Sequence, residues 1–239
     1  MYDPLRLSES IEKIISKEVN GKVYRKYYRF RPARFYGGIA SADCVGCNLR
    51  CLYCWSNDLA REGKIGKFYP PEEVSEGLTN IARKFNFRQL RITGNEPTLS
   101  KRHLIQVLED IPSDFTFILE TNGILLGNDE DYVKELKKFS NLHVRVSLKG
   151  CTEEEFSRLT GATPESFQLQ LKALDFCVAH DISCHPAVLV DLVKEKNLEI
   201  LRKRLKEIDE RLAEDLEFEN LIPYPHVVER LKQASFRII

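Results

Sequence analysis

Four of the seven cysteines lie within eleven residues, and their spacing could support metal chemistry. They are Cys44, Cys47, Cys51 and Cys54. Closely spaced loop cysteines hold iron–sulfur clusters, because one turn must present several thiolates to one small cuboid. A structural zinc site usually needs a second cysteine pair about 15 to 20 residues further on, so zinc is the second choice here. The triplet Cys47, Cys51 and Cys54 predicts a cluster with three protein-bound irons and one open iron.

The role of Cys44 leaves an alternative open. As a fourth ligand it would close the cluster, as in an electron-transfer ferredoxin, but the chain lacks the ferredoxin spacing CxxCxxCxxxC-Pro. We therefore expect a thiol packed beneath the loop. Cys151, Cys177 and Cys184 are scattered and predict no auxiliary cluster. Cys151 is expected to pack as a small apolar residue, with contact to a substrate as the alternative.

The composition excludes several classes of protein. Of 239 residues, 43% are hydrophobic and 30% are charged, which predicts one globular domain and excludes a disordered or fibrous chain. Thirty-six basic residues balance thirty-six acidic ones, so no overall charge attracts nucleic acid or an anionic membrane. No apolar run approaches the roughly 18 residues of a transmembrane helix, and no secretory signal is visible. With an odd number of thiols, these features predict a cytoplasmic location and no membrane partner.

Strand-like and helix-like segments alternate along the chain. Predicted strands lie at 35–42, 89–93, 115–120, 142–148, 183–190 and 216–222, with helical patterns between them. About six such units predict an α/β fold with a parallel sheet, either a partial (β/α)6 TIM-type barrel or a doubly wound sheet. In both architectures the chemistry gathers at the carboxyl ends of the strands, so the residues after each strand are the candidates for function.

The pattern divides the chain into an N-terminal extension, 1–34, and a barrel domain, 35–239. Residues 20–36 carry six basic residues, no acidic ones and several interleaved aromatic residues. Such a segment is either a nucleic-acid platform or an edge strand or lid with solvated arginine and lysine side chains. The neutral total charge favours the second interpretation.

Residues 46–54, Gly-Cys-Asn-Leu-Arg-Cys-Leu-Tyr-Cys, resemble the CxxxCxΦC signature of the radical S-adenosylmethionine (SAM) superfamily. The resemblance implies a partial (β/α)6 barrel that binds a [4Fe-4S] cluster through Cys47, Cys51 and Cys54. It also implies that SAM binds the open iron and that Tyr53 lies by the adenine. Reductive cleavage of SAM would then give a 5′-deoxyadenosyl radical that abstracts hydrogen from a substrate. The electron would come from a one-electron reductant such as ferredoxin or flavodoxin.

Two segments after the next predicted strands extend the resemblance. Residues 93–99, Thr-Gly-Asn-Glu-Pro-Thr-Leu, resemble the family's GGEPTL element, which implies that the turn contacts the methionine amino group of SAM. The residues of this turn are Gly94, Asn95, Glu96 and Pro97, with Asn95 replacing the usual second glycine. Residues 120–123, Glu-Thr-Asn-Gly, resemble the (D/E)TNG element, which implies that Glu120 and Asn122 approach the ribose hydroxyls.

Two further segments are similar to the glycyl-radical-enzyme activases, a branch that includes pyruvate formate-lyase activating enzyme. Ser147 and Lys149 lie in a segment that resembles the branch's DLK stretch, with serine replacing the acid. Residues 220–226, Asn-Leu-Ile-Pro-Tyr-Pro-His, are similar to its LLPYH element. The resemblance therefore spans about 35–226, although Trp55-Ser56 stands where activases often have His-Asn.

The main functional hypothesis is thus a radical SAM enzyme that abstracts hydrogen from a protein glycine, as activases do. An alternative is modification of a small molecule or an RNA base, for which 20–36 is the only indication. A third hypothesis, from another class, is a non-enzymatic iron–sulfur electron-transfer or zinc-binding protein. It predicts four cysteine ligands, including Cys44, and no SAM binding.

Overall fold

A computed structural model describes residues 1–236 of the chain, so the last three residues of the predicted barrel domain lie outside the described part. The strands are β1 (Ser16–Val19), β2 (Lys22–Ala33), β3 (Ile39–Cys44), β4 (Lys67–Tyr69), β5 (Gln89–Thr93), β6 (Thr116–Thr121), β7 (Leu142–Leu148), β8 (Cys184–Leu189) and β9 (Glu217–Glu219). The helices are α1 (Pro4–Ile15), α2 (Asp58–Arg61), α3 (Pro71–Phe85), α4 (Lys101–Asp110), α5 (Ile124–Asn128), α6 (Glu130–Leu136), α7 (Glu153–Thr160), α8 (Phe167–Ala179), α9 (Glu195–Ile208), α10 (Glu210–Glu214) and α11 (Pro225–Gln233).

One open sheet contains all of these strands. Its order is β1-β2-β3-β5-β6-β7-β8-β9, with β4 paired to β2. The strands from β3 to β9 along this order pair in parallel, and helices connect them, as parallel pairs require. The predicted α/β fold is confirmed: the sheet is mostly parallel and does not close, which is the architecture of a partial TIM-type barrel.

Two predicted strands have the observed bounds, and the others differ at their ends. β5 and β7 match the segments 89–93 and 142–148. The first predicted strand, 35–42, begins only at Ile39, because 35–37 form a 3-10 turn in which Tyr36 has a left-handed φ of 54°. The helical segment between β8 and β9 is divided into α9 and α10 at Asp209, whose extended backbone ends one helix and whose side chain caps the next.

Alternation along the strands gives the sheet two different faces. Alternate residues such as Ala40, Ala42, Leu90 and Ile92 are buried in the main hydrophobic core, and helices α3 and α4 contribute the other side of that core. The residues between them point to the opposite side, which we call the inner face. The inner face carries Ser41, Asp43, Arg91, Thr93, Glu120, His143, Arg145, Ser147, His185, Glu217 and Glu219. The polar groups that the function needs are therefore gathered on one side of the sheet.

The N-terminal segment joins the same sheet. β2 pairs with both β1 and β3 in antiparallel fashion, so it lies inside the sheet rather than at its edge. Its basic residues are not all solvated, since Arg25 is 1% exposed. Both points differ from the favoured sequence interpretation, because β2 has paired neighbours on both sides and alternation along it turns Arg25 towards the core. Within 1–236, no helix combines the length and the apolarity needed to cross a membrane.

Candidate functional site

The cysteine loop begins directly after β3 and is held to its neighbours by backbone hydrogen bonds. Gly46 N donates to Ala60 O at 2.8 Å, and Cys47 N donates to Arg61 O at 3.0 Å. Gly46 O accepts from Glu96 N at 2.9 Å, which joins the loop to the turn after β5. Gly46 has a φ of +90°, and a Cβ there would meet Ile11 Cγ2 at 2.7 Å, so only glycine fits this close approach to α1.

An arginine binds the backbone carbonyl of each cysteine in the predicted ligand triplet. Arg50 Nη1 donates to Cys47 O at 2.6 Å, and Arg61 Nη1 donates to Cys51 O at 3.3 Å. Arg230, from the C-terminal helix α11, donates to Cys54 O. These contacts fix the loop backbone and place positive charge around the thiols, where it offsets the charge of three thiolates. None of the three arginines was a candidate from the sequence.

The three thiols suit a cluster better than a single metal ion. Cys51 is 7% exposed, and Cys47 and Cys54 are half-buried. Burial raises the pKa of Cys51 to about 11, although Lys149 lowers it, and burial likewise raises the pKa of Cys47. Metal binding deprotonates such thiols. In the described part of the chain no three His, Cys, Asp or Glu side chains converge on one ion, whereas each thiolate of a cluster binds a different iron.

Cys44 is the last residue of β3, whereas the triplet lies in the loop that follows it. It alternates with Asp43 on β3, so its side chain shares the buried core with Ala40 and Ala42. Cys44 is 0% exposed, and its Sγ accepts a hydrogen bond from Arg25 Nη2 at 3.4 Å. This is the packed thiol expected from the sequence, and its position gives no support to a cluster with four cysteine ligands.

Glu96 braces the loops that follow β5 and β6. Its Oε1 accepts hydrogen bonds from the Thr98 N–H, the Thr98 hydroxyl and the Thr121 hydroxyl, at 3.1, 2.7 and 2.6 Å. Its Oε2 accepts from Asn122 N at 2.7 Å. The carboxylate is 1% exposed, and protein donors fill it. If SAM binds as the resemblance implies, Glu96 would act on its ammonium group through charge rather than through a direct hydrogen bond.

Asn122 connects the loop after β6 to the cysteine loop. Its Nδ2 donates to Asn48 Oδ1 at 2.7 Å, and Asn48 Nδ2 donates to Ser8 Oγ at 3.0 Å. Its Oδ1 accepts from Ile124 N at 3.1 Å. Asn122 was predicted to approach a ribose, but its side-chain amide forms hydrogen bonds with Asn48 and Ile124. Its observed contribution is to hold Asn48, which lies beside Cys47.

The turn at Gly94 and Asn95 offers an acceptor that suits an ammonium group. Gly94 has a φ of +102°, and a Cβ there would lie 3.1 Å from Asp43 Cα, so the turn packs tightly on the end of β3. Asn95 Nδ2 donates to Cys44 O at 2.9 Å. Its Oδ1 is buried without a hydrogen-bond partner among the residues described. A buried acceptor without a donor is costly, and the amino group of SAM would satisfy it.

Glu120 is the charged acceptor at the carboxyl end of β6. It binds Arg91 Nη1 at 2.6 Å, Thr93 Oγ1 at 2.6 Å and Tyr36 OH at 2.9 Å. Burial acts to raise the pKa of Glu120, but the guanidinium groups of Arg91 and Arg145 outweigh it and lower the pKa. Glu120 is therefore ionised at neutral pH, which suits the contact with a ribose hydroxyl that the resemblance implies.

Glu120→Gln should weaken SAM binding about tenfold, because a charge-assisted hydrogen bond of roughly 1.5 kcal/mol is lost. Equilibrium dialysis of SAM against the cluster-loaded protein measures this. Since the pKa of Glu120 is lowered, titration of Glu120 should not change the difference in affinity between the unchanged protein and this variant from about pH 6 to pH 8. Glu73→Gln, on the exposed surface of α3, is the control. Equal affinity of the Glu120 variant and this control for SAM would show that Glu120 does not contribute to SAM binding.

Ser147 and Lys149 lie together at the carboxyl end of β7. Lys149 Nζ donates to Ser147 Oγ at 2.5 Å and lies 5.9 Å from the centre of the Tyr53 ring. Lys149 also lowers the pKa of Cys51. The structure thus places Lys149 beside Tyr53 of the cysteine loop. A cation at this position can pair with the carboxylate of SAM.

A polar network at the other end of the inner face was not predicted as a unit. His143 Nε2 and His185 Nδ1 are 2.6 Å apart, and His185 Nε2 lies 2.9 Å from Glu217 Oε2. Arg145 Nε donates to Glu217 Oε2 at 2.8 Å. The parallel pairing of β7, β8 and β9 brings these groups close.

The segment 220–226 also reaches the cysteine loop. His226 Nε2 lies 2.9 Å from the carbonyl oxygen of Trp55, and Tyr224 stacks on His226 with ring centres 5.8 Å apart. His226 thus orders the backbone just after Cys54, which is a structural role. Cys151 is 0% exposed, as expected for a packed thiol.

Comparison with known proteins identifies relatives that share part of the chain. Residues 43–212 match the profile of the radical SAM superfamily. A probable GTP 3′,8-cyclase from Methanosarcina acetivorans is 33% identical over 134 residues, which cover 55% of this chain and 39% of that protein. A GTP 3′,8-cyclase from Clostridium perfringens SM101 is 29% identical over 173 residues, covering 70% of this chain and 52% of that protein. The chain thus matches about half, or less, of these relatives' length.

Solved structures share the fold at low sequence identity. Native anSMEcpe with bound AdoMet superposes with a TM-score of 0.55 and 20% identity, covering 76% of this chain and 52% of that one. TYW1 with a lysine-pyruvate adduct gives a TM-score of 0.53 and 15% identity, covering 98% of this chain and 90% of that one. The matched profile includes the whole cysteine loop and the strands from β5 to β8. The chain belongs to the radical SAM superfamily.

Proposed function

We propose that this radical SAM enzyme abstracts a hydrogen atom from a small molecule that carries a planar base and a phosphate, such as a purine nucleotide. Members of the superfamily use a [4Fe-4S] cluster and SAM. The GTP 3′,8-cyclase names of two relatives support a nucleotide substrate. They favour the small-molecule alternative over a protein glycine. The activase-like hypothesis remains a prediction that these relatives do not support.

The observation that carries the proposal is a surplus of positive charge beside an exposed indole. Arg29 Nε and Arg31 Nε both bind the single carboxylate of Asp43, at 2.5 and 3.0 Å. Arg29 is 45% exposed in its side chain and lies 6.0 Å from the Trp55 ring, which is itself 39% exposed. Two guanidinium groups against one carboxylate leave a cation for an anionic group, and the indole offers a stacking surface for a base.

The residues described above assign the remaining tasks. Cys47, Cys51 and Cys54 would hold the cluster. Asn95 Oδ1 would accept from the amino group of SAM, and Lys149 would pair with its carboxylate. When bound, the cluster and SAM together supply the 5′-deoxyadenosyl radical.

The inner face would position the substrate opposite SAM. Its open side carries the Arg29 and Arg31 pair next to the cysteine loop, which places an anionic substrate near the predicted adenosyl group. Phe35 is 54% exposed and lies 4.7 Å from the Arg91 guanidinium, so a second aromatic surface is available along the same face. Packing of the substrate against these rings would exclude water from the radical.

The test measures 5′-deoxyadenosine formed anaerobically from SAM and dithionite, with GTP, ATP, guanosine or no addition. We expect GTP or ATP, which are nucleoside triphosphates, to raise the yield of 5′-deoxyadenosine about tenfold. Guanosine should raise it much less, because the arginine pair contributes at least about 1.4 kcal/mol to binding the phosphates. Arg29→Gln should abolish most of that stimulation without lowering the yield in the absence of a nucleotide. The matched control is Arg102→Gln, an exposed arginine on α4.

Two outcomes would contradict the proposal. Equal stimulation of 5′-deoxyadenosine formation by guanosine and GTP would show that the arginine pair does not bind the phosphates. Stimulation by none of the nucleotides, together with transfer of hydrogen from a glycine-containing protein, would instead support the activase-like hypothesis.

A further inference from the structure

Arg25 is a buried cation that the functions assigned above do not use. It lies on β2, in the segment where the sequence favoured solvated arginines, and it is 1% exposed. Its Nη2 donates to Glu96 O at 2.6 Å, and its Nη1 donates to Pro97 O. The same Nη2 lies 3.4 Å from Val45 O and 3.4 Å from Cys44 Sγ. One guanidinium thus contacts the segment that leads into the cysteine loop and the turn after β5.

No carboxylate of residues 1–236 forms an ion pair with Arg25 within 4.0 Å. Arg61 differs, since it is ion-paired to Asp58. Burial raises the pKa of Glu12, and the charge of Arg25 acts to lower it. A buried cation without a direct partner is costly, so the fold must obtain some compensation for keeping it.

The segments whose backbone Arg25 binds carry the charge of Glu96 and lead into the cysteine loop. Glu96 has no basic side-chain partner within the described residues. Three thiolates add further negative charge when a cluster is bound. The buried Arg25 guanidinium donates to the backbone oxygen of Glu96, so its charge opposes this negative charge from within the protein, where a low dielectric strengthens the interaction.

We propose that Arg25 is a positioning residue with two tasks at the cluster. The N–H groups of its guanidinium hold the start of the cysteine loop and the turn after β5 at a fixed separation. Its charge stabilises the reduced state of the cluster, which carries one more negative charge than the oxidised state. Net charge and hydrogen bonding are known determinants of cluster potentials.

Two variants distinguish the effect of the hydrogen-bond geometry of Arg25 from the effect of its charge. Arg25→Lys keeps the charge but loses the planar fork, whereas Arg25→Gln loses both. We expect each to retain about half or less of the iron of the unchanged protein after anaerobic gel filtration, because a bidentate contact to two loops is lost. Only Arg25→Gln should shift the midpoint potential of the remaining cluster, to more negative values, in a dithionite titration followed by electron paramagnetic resonance.

Glu96→Gln provides a test of opposite sign. Removing the negative charge should shift the midpoint potential to more positive values, and combining it with Arg25→Gln should return the potential towards that of the unchanged protein. Arg102→Gln, on the exposed surface, is the control for both readouts.

The outcomes are decisive for each task. Full iron retention in both Arg25 variants would overturn the positioning role, and equal potentials of Arg25→Gln and Arg25→Lys would overturn the charge role. Neither readout involves a substrate, so the result is independent of whether a nucleotide is the substrate.

Discussion

Cys51→Ala should lose the cluster and all formation of 5′-deoxyadenosine. Cys51 is the most buried thiol of the triplet, and its carbonyl and side chain lie in a loop fixed by Arg61 and by hydrogen bonds to α2. Water cannot easily replace a buried thiolate ligand, so we expect iron content to fall by at least about tenfold. Iron analysis and chromatography of the anaerobic reaction with SAM and dithionite measure both effects.

Cys44→Ala is the matched control. Cys44 lies on β3, and its thiol accepts a hydrogen bond from Arg25, so its variant should bind iron and form 5′-deoxyadenosine as the unchanged protein does. Loss of iron from Cys44→Ala would contradict the three-ligand cluster and favour an electron-transfer protein with four cysteine ligands. A loaded cluster in Cys51→Ala would exclude Cys51 as a ligand.

Glu96→Gln should destabilise the protein by about 3 kcal/mol. The carboxylate accepts from two backbone N–H groups, one on each oxygen: Thr98 N and Asn122 N. In either orientation, a glutamine would point its NH2 group at one of these fixed donors. The hydroxyls of Thr98 and Thr121 can rotate away, but the N–H groups cannot. Urea unfolding of the cluster-loaded protein under anaerobic conditions measures the loss.

Glu73→Gln controls for the change from glutamate to glutamine. Its side chain is exposed in the first turn of α3, so its free energy of unfolding should change by less than about 0.5 kcal/mol. Equal stability of the two variants would show that the bracing role assigned to Glu96 is wrong.

Much of the fold was predictable because hydrophobic periodicity reports which side of an element is buried. β5 and β7 have the predicted bounds, since each is a short alternating segment between clear helix signals. The cysteine loop and the three loops after β5, β6 and β7 lie at the carboxyl ends of parallel strands, as the alternation of strands and helices implied. The motif residues could thus be placed from local sequence alone.

What the sequence did not indicate are contacts made between distant segments. Arg61 and Arg230 bind neighbouring cysteine carbonyls although they are far apart in the chain. No local pattern records such pairs. Arg25 was missed for a related reason. A run of interleaved basic and aromatic residues predicts an edge strand with solvated side chains, whereas β2 is paired with strands on both sides. Glu96 was predicted as a ligand contact because its motif is shared, but its hydrogen-bond partners depend on the loop after β6.

The hydrogen bond between Asn48 and Asn122 has a thermodynamic consequence. It joins the loop that would carry the cluster to the loop predicted to meet the ribose, and Glu96 joins both to the turn after β5. Ordering one loop therefore lowers the entropy still to be lost when the other binds its ligand. Such coupling is reciprocal. We expect SAM to protect the cluster against a chelator by the same factor by which the cluster raises the affinity for SAM, and Asn122→Ala to reduce both factors together.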